Sequence, residues 1–298
     1  MTANIEGLSG RVRFMHPLIR EAIGQTLGQP VVESGLLRGG MVGAVYWARL
    51  ADGQIVVAKV GETAEAQLDI EGEMLRYLRR FSPLPVPEVF HAEPALLVME
   101  YVPGESRISD SVQEHAADLL AALHGITSSG FGLDFDTLIG GLRQPNTWGD
   151  DWIDFFRDQR LLYMADVALR AGALPQAVRR RIDALAARLS DWLIEPEHPS
   201  LIHGDLWTGN ILAFDGAVAA LIDPAIYYAD PEIELAFTTL FGTFDEGFFL
   251  RYAEQRSIQP GFFEERRDLY NLYPLLVHVR LFGGHYVDAV ERTLDKYD

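Results

Sequence analysis

The sequence predicts an α+β chain of two lobes, a small β-rich lobe over 1–102 and a larger, mainly helical lobe over 103–298. Three observations carry this. Strand-like runs rich in Val, Ile and aromatic residues dominate the first third. Pro103-Gly104 then marks a boundary. Beyond it, apolar residues recur mostly at the three-to-four spacing of amphipathic helices.

In the first lobe, 16–27 reads as a short helix ended by Gly28-Gln29-Pro30. Strands are expected over 31–37, 42–50 and 54–60. Asp52-Gly53 joins the last two, and Asp-Gly suits a tight hairpin because both central residues of a type I′ turn need positive φ. A helix over 64–80 keeps Leu68, Leu75 and Leu78 on one face. Pro83, Pro85 and Pro87 make an extended connector, and 95–101 is a buried strand. In the second lobe, helices are expected over 110–125, 150–171, 175–193, 233–240 and 264–282. A short hairpin, 211–214 with 218–222, turns at Asp215-Gly216. No internal repeat or low-complexity stretch is visible.

With 298 residues, 48% of them hydrophobic and 23% charged, the chain has ample material for a core. Its net charge of −18 argues against nucleic acid, whose phosphates need clustered Lys and Arg. Cysteine is absent, which removes disulfides, thiolate metal sites and a thiol nucleophile. The N-terminus lacks a signal-peptide pattern and no apolar run is long enough to span a bilayer, so a cytoplasmic protein with no membrane partner is expected.

The chemistry concentrates at His203-Gly204-Asp205-Leu206-Trp207-Thr208-Gly209-Asn210, with Asp223 a hairpin later. An Asp five positions before an Asn follows the catalytic-loop pattern of protein kinases, where the Asp accepts the substrate hydroxyl proton and the Asn holds magnesium. Asp223, in Asp223-Pro224-Ala225, stands where a protein kinase has Asp-Phe-Gly, so Asn210 and Asp223 are the candidate Mg2+ ligands and Asp205 the candidate catalytic base. The plain alternative is a loop of two solvated acids and an Asn cap. His203 reads as a brace for the loop. Gly204 replaces the kinase Arg and no Ala-Pro-Glu segment follows, which favours a small-molecule kinase.

The first lobe supplies matching parts. Gly39, Gly40 and Gly43 lie between two strands, where glycine lets backbone N–H groups approach phosphates. Arg38 occupies the place of the first glycine of the usual loop, so only Gly43-x-Val45 fits, and a simple hairpin turn is the competing reading. Lys59, in Val56-Val57-Ala58-Lys59-Val60, fits the strand lysine that holds the α- and β-phosphates of ATP. Burial of its charge requires a partner; Glu71 is preferred over Glu73 because Leu75 and Leu78 share its side of the helix. Glu100 and Val102 end the lobe where the backbone of kinase-like folds meets the adenine edge. The whole is a two-lobed, protein-kinase-like plan.

Leu201 to Asn210 resembles the fructosamine kinase, or ketosamine-3-kinase, family within the aminoglycoside-phosphotransferase-like group. The His-Gly-Asp and Asn are common to that whole group, and Leu206-Trp207 is the narrower mark. The Gln144 to Trp148 segment, the Asp223 to Asp230 segment with Glu232 and Glu234, and the stretch from Tyr270 to Tyr286 are similar to that family as well. The resemblance implies ATP-dependent phosphorylation of the 3-hydroxyl of a ketosamine, a small glycated amine, followed by decay of the phosphate ester and hence deglycation. Met41 stands where some relatives carry a Cys, excluding thiol control there, and Thr208 replaces the usual Ser but keeps the hydroxyl. Trp207, as a wall for a sugar face, and His285, as a hydroxyl partner, are the substrate-side candidates, against a packing role for both. Two other readings stand beside this one: an aminoglycoside or other amino-alcohol phosphotransferase, and a degenerate kinase that only binds. Oligomeric state is not legible.

Overall fold

The computed structural model describes residues 15–37 and 43–298. They form two compact units: one runs to Arg107 and includes Ile211–Asp223, and the other comprises Ile108–Asn210 and Pro224–Asp298. The sequence places the division at 102/103; the structure places it five residues later and groups the 211–223 hairpin with the N-terminal unit.

The first unit is built on an antiparallel sheet of β1 (Val31–Leu36), β2 (Ala44–Leu50), β3 (Ile55–Val60), β4 (Val89–Glu93) and β5 (Leu96–Glu100), in the order β1-β2-β3-β5-β4. Helix α1 (Pro17–Leu27) starts at a proline, whose missing N–H costs nothing there, and ends at Gly28 with φ +66°. Its Ile23 packs with Ala48, Leu50, Val56, Ala58 and Val98 on one face of the sheet. Side chains alternate along a strand, so Val57 and Lys59 lie on the opposite face. Helix α2 (Leu68–Phe81) covers that face, with Gly72 against Ala92 and Leu97. The expected helix over 64–80 is interrupted: 64–66 is a short 3₁₀ turn, and Gln67 at φ +51° redirects the chain before α2. The proline connector leads into β4, a strand the periodicity did not reveal. The hairpin Ile211–Phe214 with Ala217–Leu221 turns at Asp215 and Gly216, both with positive φ. Leu221 N–H donates to Pro85 O at 2.8 Å, and Glu105 and Ala213 exchange two backbone bonds of 2.9 Å.

The second unit is mainly helical. Helix α3 (Asp110–Leu123) starts at Ser109, whose hydroxyl accepts from Val112 N–H. The expected helix over 150–171 exists as Trp152–Phe156 and Tyr163–Arg170 joined by a π-helical turn, Arg157–Leu162. That turn carries the buried Arg160, whose guanidinium lies 3.7 Å from the Tyr227 ring centre and donates to Pro145 O and Asn146 Oδ1, each at 2.6 Å. The helix over 175–193 stops at Ala186, and the one over 264–282 begins as a π turn and breaks at Asn271. Glu246–Ala253 and His285–Leu294 are additional helices, and Thr137–Ile139 with Leu142–Gln144 is an additional hairpin. Ser200–Ile202 pairs antiparallel with Tyr227–Ala229, and this short ladder frames the loop that begins at His203.

Candidate active site

Candidate residues fall in both units, and each set has its own construction. In the first unit Lys59 is buried, 5% exposed, on the α2 face of β3. Its ammonium donates to Glu71 Oε1 at 2.6 Å and forms a second ion pair with Asp223. Glu73 points to solvent. Burial alone would lower the Lys59 pKa; the Asp223 and Glu71 carboxylates outweigh it and hold the ammonium well above its ordinary value. Burial pushes the Glu71 carboxyl up in turn, against the pull of Lys59. Asp223 adopts φ +56°, a left-handed conformation that Asp tolerates better than most residues. Its side chain is 30% exposed, and one carboxylate oxygen is committed to Lys59.

Gly43 opens β2 at φ +75°, and a Cβ there would overlap the Val60 carbonyl, so both conformation and space demand glycine. Gly39 and Gly40 lie outside the described residues. Glu100 is exposed at the end of β5, where its carboxylate accepts from Glu88 N–H at 3.1 Å. Val102 is half-buried in the irregular segment that follows.

In the second unit the loop from His203 to Asn210 is held by its backbone. Glu234, on the helix Glu232–Leu240, has a fully buried side chain. Its Oε1 accepts from Gly204 N–H at 2.7 Å, and its Oε2 accepts from His203 N–H at 3.1 Å. His203 O in turn accepts from Ala225 N–H at 2.7 Å. Gly204 sits at φ +84° with its α-carbon facing Ala225; a Cβ would overlap the Ala225 carbonyl oxygen. Sterics therefore explain why glycine precedes Asp205. Asn210 Nδ2 donates to Asp205 O at 2.8 Å and to Asp205 Oδ2 at 3.1 Å, fixing the carboxylate from within the loop. The amide nitrogen of Asn210 is thereby engaged within the loop.

Trp207 is 36% exposed, with its indole over Gly209 and 6.1 Å from Phe241, edge to face. Phe241 meets His278, His278 meets Tyr286, and Tyr286 meets His285, with ring centres 5.0, 4.9 and 4.2 Å apart. Trp207 and His285 are thus the two ends of one aromatic strip. Glu234 and His124 are structural partners of the loop; the sequence noted Glu234 only within a family-like segment, with no role, and did not single out His124. The available signal was an acid inside the apolar run Ile233 to Phe237.

Among the described residues, no group of three or more His, Asp or Glu side chains forms a metal cage, and no helix is long and apolar enough to cross a membrane.

The sequence profile of the fructosamine kinase family matches residues 15–297. A Synechocystis protein assigned as a ketoamine kinase is 33% identical over 286 residues, covering 93% of this chain and 94% of the relative. The chloroplastic protein-ribulosamine 3-kinase of Arabidopsis thaliana is 36% identical over 207 residues, 67% of this chain and 61% of that one. A Thermobifida fusca crystal structure with a fructosamine-3-kinase assignment superposes with a TM-score of 0.83 at 30% identity, over 93% of this chain and 98% of that one. An aminoglycoside phosphotransferase solved with gentamicin has the same fold at 15% identity, with a TM-score of 0.65 over 95% and 97% of the two chains. The fold is therefore that of the kinase-like phosphotransferases. This chain belongs to the fructosamine kinase family.

Proposed function

We propose that this chain is an ATP-dependent ketosamine kinase that phosphorylates the 3-hydroxyl of a fructosamine or ribulosamine. The observation that carries the reading is the loop itself: Asp205 is ordered by Asn210 in a chain whose family match runs from 15 to 297. In this reading the Asp205 carboxylate accepts the sugar hydroxyl proton as the oxygen bonds to the γ-phosphorus. The bond from that phosphorus to the bridging oxygen breaks, and ADP leaves. Lys59, kept charged by Glu71 and Asp223, meets the α- and β-phosphates, while Gly43 and the glycines at 39 and 40 let backbone N–H groups approach. The segment from Glu100 to Val102 offers main-chain groups to adenine.

Asn210 through Oδ1 and Asp223 through its carboxylate are the proposed magnesium ligands. Magnesium, when bound, neutralises charge on the transferring phosphate. The aromatic strip from Trp207 to His285 suits the sugar and the amine-bearing part of the substrate, since ring faces pack on C–H surfaces without requiring fixed charges. ATP consumption over a panel of ribulosamines, fructosamines, aminoglycosides and choline tests the proposal. Turnover of ribulosyl- or fructosyl-lysine with little on kanamycin-type substrates is expected. The reverse pattern replaces it with an aminoglycoside kinase, and ATP binding without turnover on any member replaces it with a binding module.

A further inference from the structure

We propose that Tyr252, His124 and Glu234 form a buried positioning relay that holds the Asp205 loop in its working geometry, so that turnover depends on it and nucleotide binding does not. The inference rests on the ketosamine kinase reading for its kinetic readout.

Glu234 spends both oxygens on the loop, one on each of the two N–H groups that precede Asp205. Its side chain is shut off from solvent, so substrate cannot reach it. Whatever it contributes passes through the backbone it holds. Burial pushes its pKa up, but His124 above all, with His203 and the Gly204 N–H, holds it below the ordinary carboxylate range. It is an anion whose every contact is a donor.

His124 caps the C-terminal end of α3 and is fully buried. Its Nε2 lies 2.9 Å from Glu234 Oε2, and its Nδ1 lies 2.8 Å from the Tyr252 hydroxyl. An ionised carboxylate can only accept, so Nε2 carries the hydrogen toward Glu234, and Nδ1 shares the second hydrogen bond with the Tyr252 hydroxyl. Burial pushes the Tyr252 pKa up, which keeps the hydroxyl protonated. The chain of hydrogen bonds runs from the helix Glu246–Ala253 through the end of α3 to the carboxylate. Each link fixes the orientation of the next, as an outer partner fixes the ring of a metal-ligating histidine. Gly204 lies against the Ala225 carbonyl, with no room for a Cβ on that side. A shift of Glu234 therefore moves the peptide that carries Asp205.

The test uses four variants of the full chain, Glu234→Gln, His124→Phe, His124→Gln and Tyr252→Phe. Steady-state kinetics are measured with fructosyl- and ribulosyl-lysine, ATP affinity by calorimetry, and amide hydrogen exchange at residues 203–205 without substrate. Glu234→Gln is nearly isosteric but turns an N–H toward an N–H. It should lower kcat on the order of 10²-fold, the scale of a small misplacement of a reacting group. ATP affinity should stay within about twofold, below the 1.4 kcal/mol that a tenfold change represents. Tyr252→Phe should lose a few-fold in kcat. His124→Gln, which restores an N–H donor, should recover part of what His124→Phe loses. Exchange at 203–205 should quicken in the same order. A folded Glu234→Gln with native kcat, parallel losses in kcat and ATP affinity, or His124→Gln no better than His124→Phe would each overturn the relay. If Glu234→Gln does not fold, Tyr252→Phe, which removes one oxygen, decides the matter by the same readouts. If the native protein turns over no ketosamine, the functional reading fails, while exchange still judges the relay.

Discussion

The two units hold their candidate residues by opposite means. In the first, Lys59, Glu71 and Asp223 come from a strand, a helix and the end of a distant hairpin, and hydrogen-bonded ion pairs join their side chains. In the second, Asp205 is held through peptide groups: Glu234 takes the N–H of His203 and Gly204, Ala225 takes the His203 carbonyl, and Asn210 closes the loop on itself. Charge clusters tolerate rearrangement, because long side chains re-pair as phosphates arrive. Peptide clamps do not, because moving one requires moving the chain. The difference fits what phosphoryl transfer needs, a forgiving grip on a polyanion and an unforgiving placement of a hydroxyl.

Loss of the carboxylate itself should have the largest effect. Asp205→Asn should reduce kcat by roughly 10²–10⁴, the usual worth of a positioned proton acceptor, with ATP affinity unchanged by calorimetry. Near-native turnover would remove Asp205 from the chemistry and erase the contrast between the units.

The next largest effect belongs to the charge cluster. Lys59→Met should abolish measurable ATP binding and cost about 1–3 kcal/mol of stability by leaving Glu71 buried without its cation. Adding Glu71→Leu should return stability and leave ATP binding lost, since a buried ion pair is replaceable by apolar packing but its charge is not. Thermal melts and nucleotide titrations of both variants separate the two effects. If the double variant binds ATP, the grip does not depend on Lys59.

Gly204→Ala tests the clamp from the backbone side. It combines left-handed strain with overlap at Ala225, and should destabilise by about 1–3 kcal/mol while lowering kcat far more than it alters the KM for ATP. A folded variant with native kcat would show that the loop can move freely. Trp207→Ala is milder: KM for the ketosamine should rise several-fold and kcat should fall, with KM for ATP nearly constant. An unchanged ketosamine KM would assign the indole to packing on Gly209 and Phe241 alone.

The smallest expected effect is none at all. Because Asp223 and Glu71 hold the Lys59 ammonium above its ordinary pKa, its charge is complete on the alkaline side of neutrality. ATP affinity should therefore show no loss assignable to Lys59 between about pH 7 and about pH 10. An alkaline limb that disappears in Lys59→Arg would show that the carboxylates do not protect it.

Much of this was legible in the sequence because the signals were local. Asp52-Gly53 and Asp215-Gly216 mark hairpins through their turn chemistry, and the spacing of Leu75 and Leu78 puts Glu71 rather than Glu73 toward Lys59. The strand Val89–Glu93 is only five residues long and follows a proline run, so pairing with β5, not its own pattern, makes it a strand. The π turn at Arg157–Leu162 leaves helical periodicity almost intact and shows only as a buried arginine. Gly283 and Gly284, at φ +62° and +57°, follow the helix expected to end at 282, and the further helix that opens at His285 was not expected. The role of Glu234 was opaque for a different reason: its loop partners are backbone N–H groups some thirty residues away, and backbone leaves no residue-type signal.

Gly204 has a consequence for how such a protein can evolve. Protein kinases carry arginine before the catalytic aspartate, and in many of them ordering of the activation loop by phosphorylation makes them conditional catalysts. Here that position has no room for a first side-chain atom, because the Ala225 carbonyl occupies it. Acquiring the arginine would require rebuilding a second segment at the same time, and single substitutions along that route would lose fitness before gaining control. A covalent command read by an arginine at this loop would thus need two segments of the chain to change together.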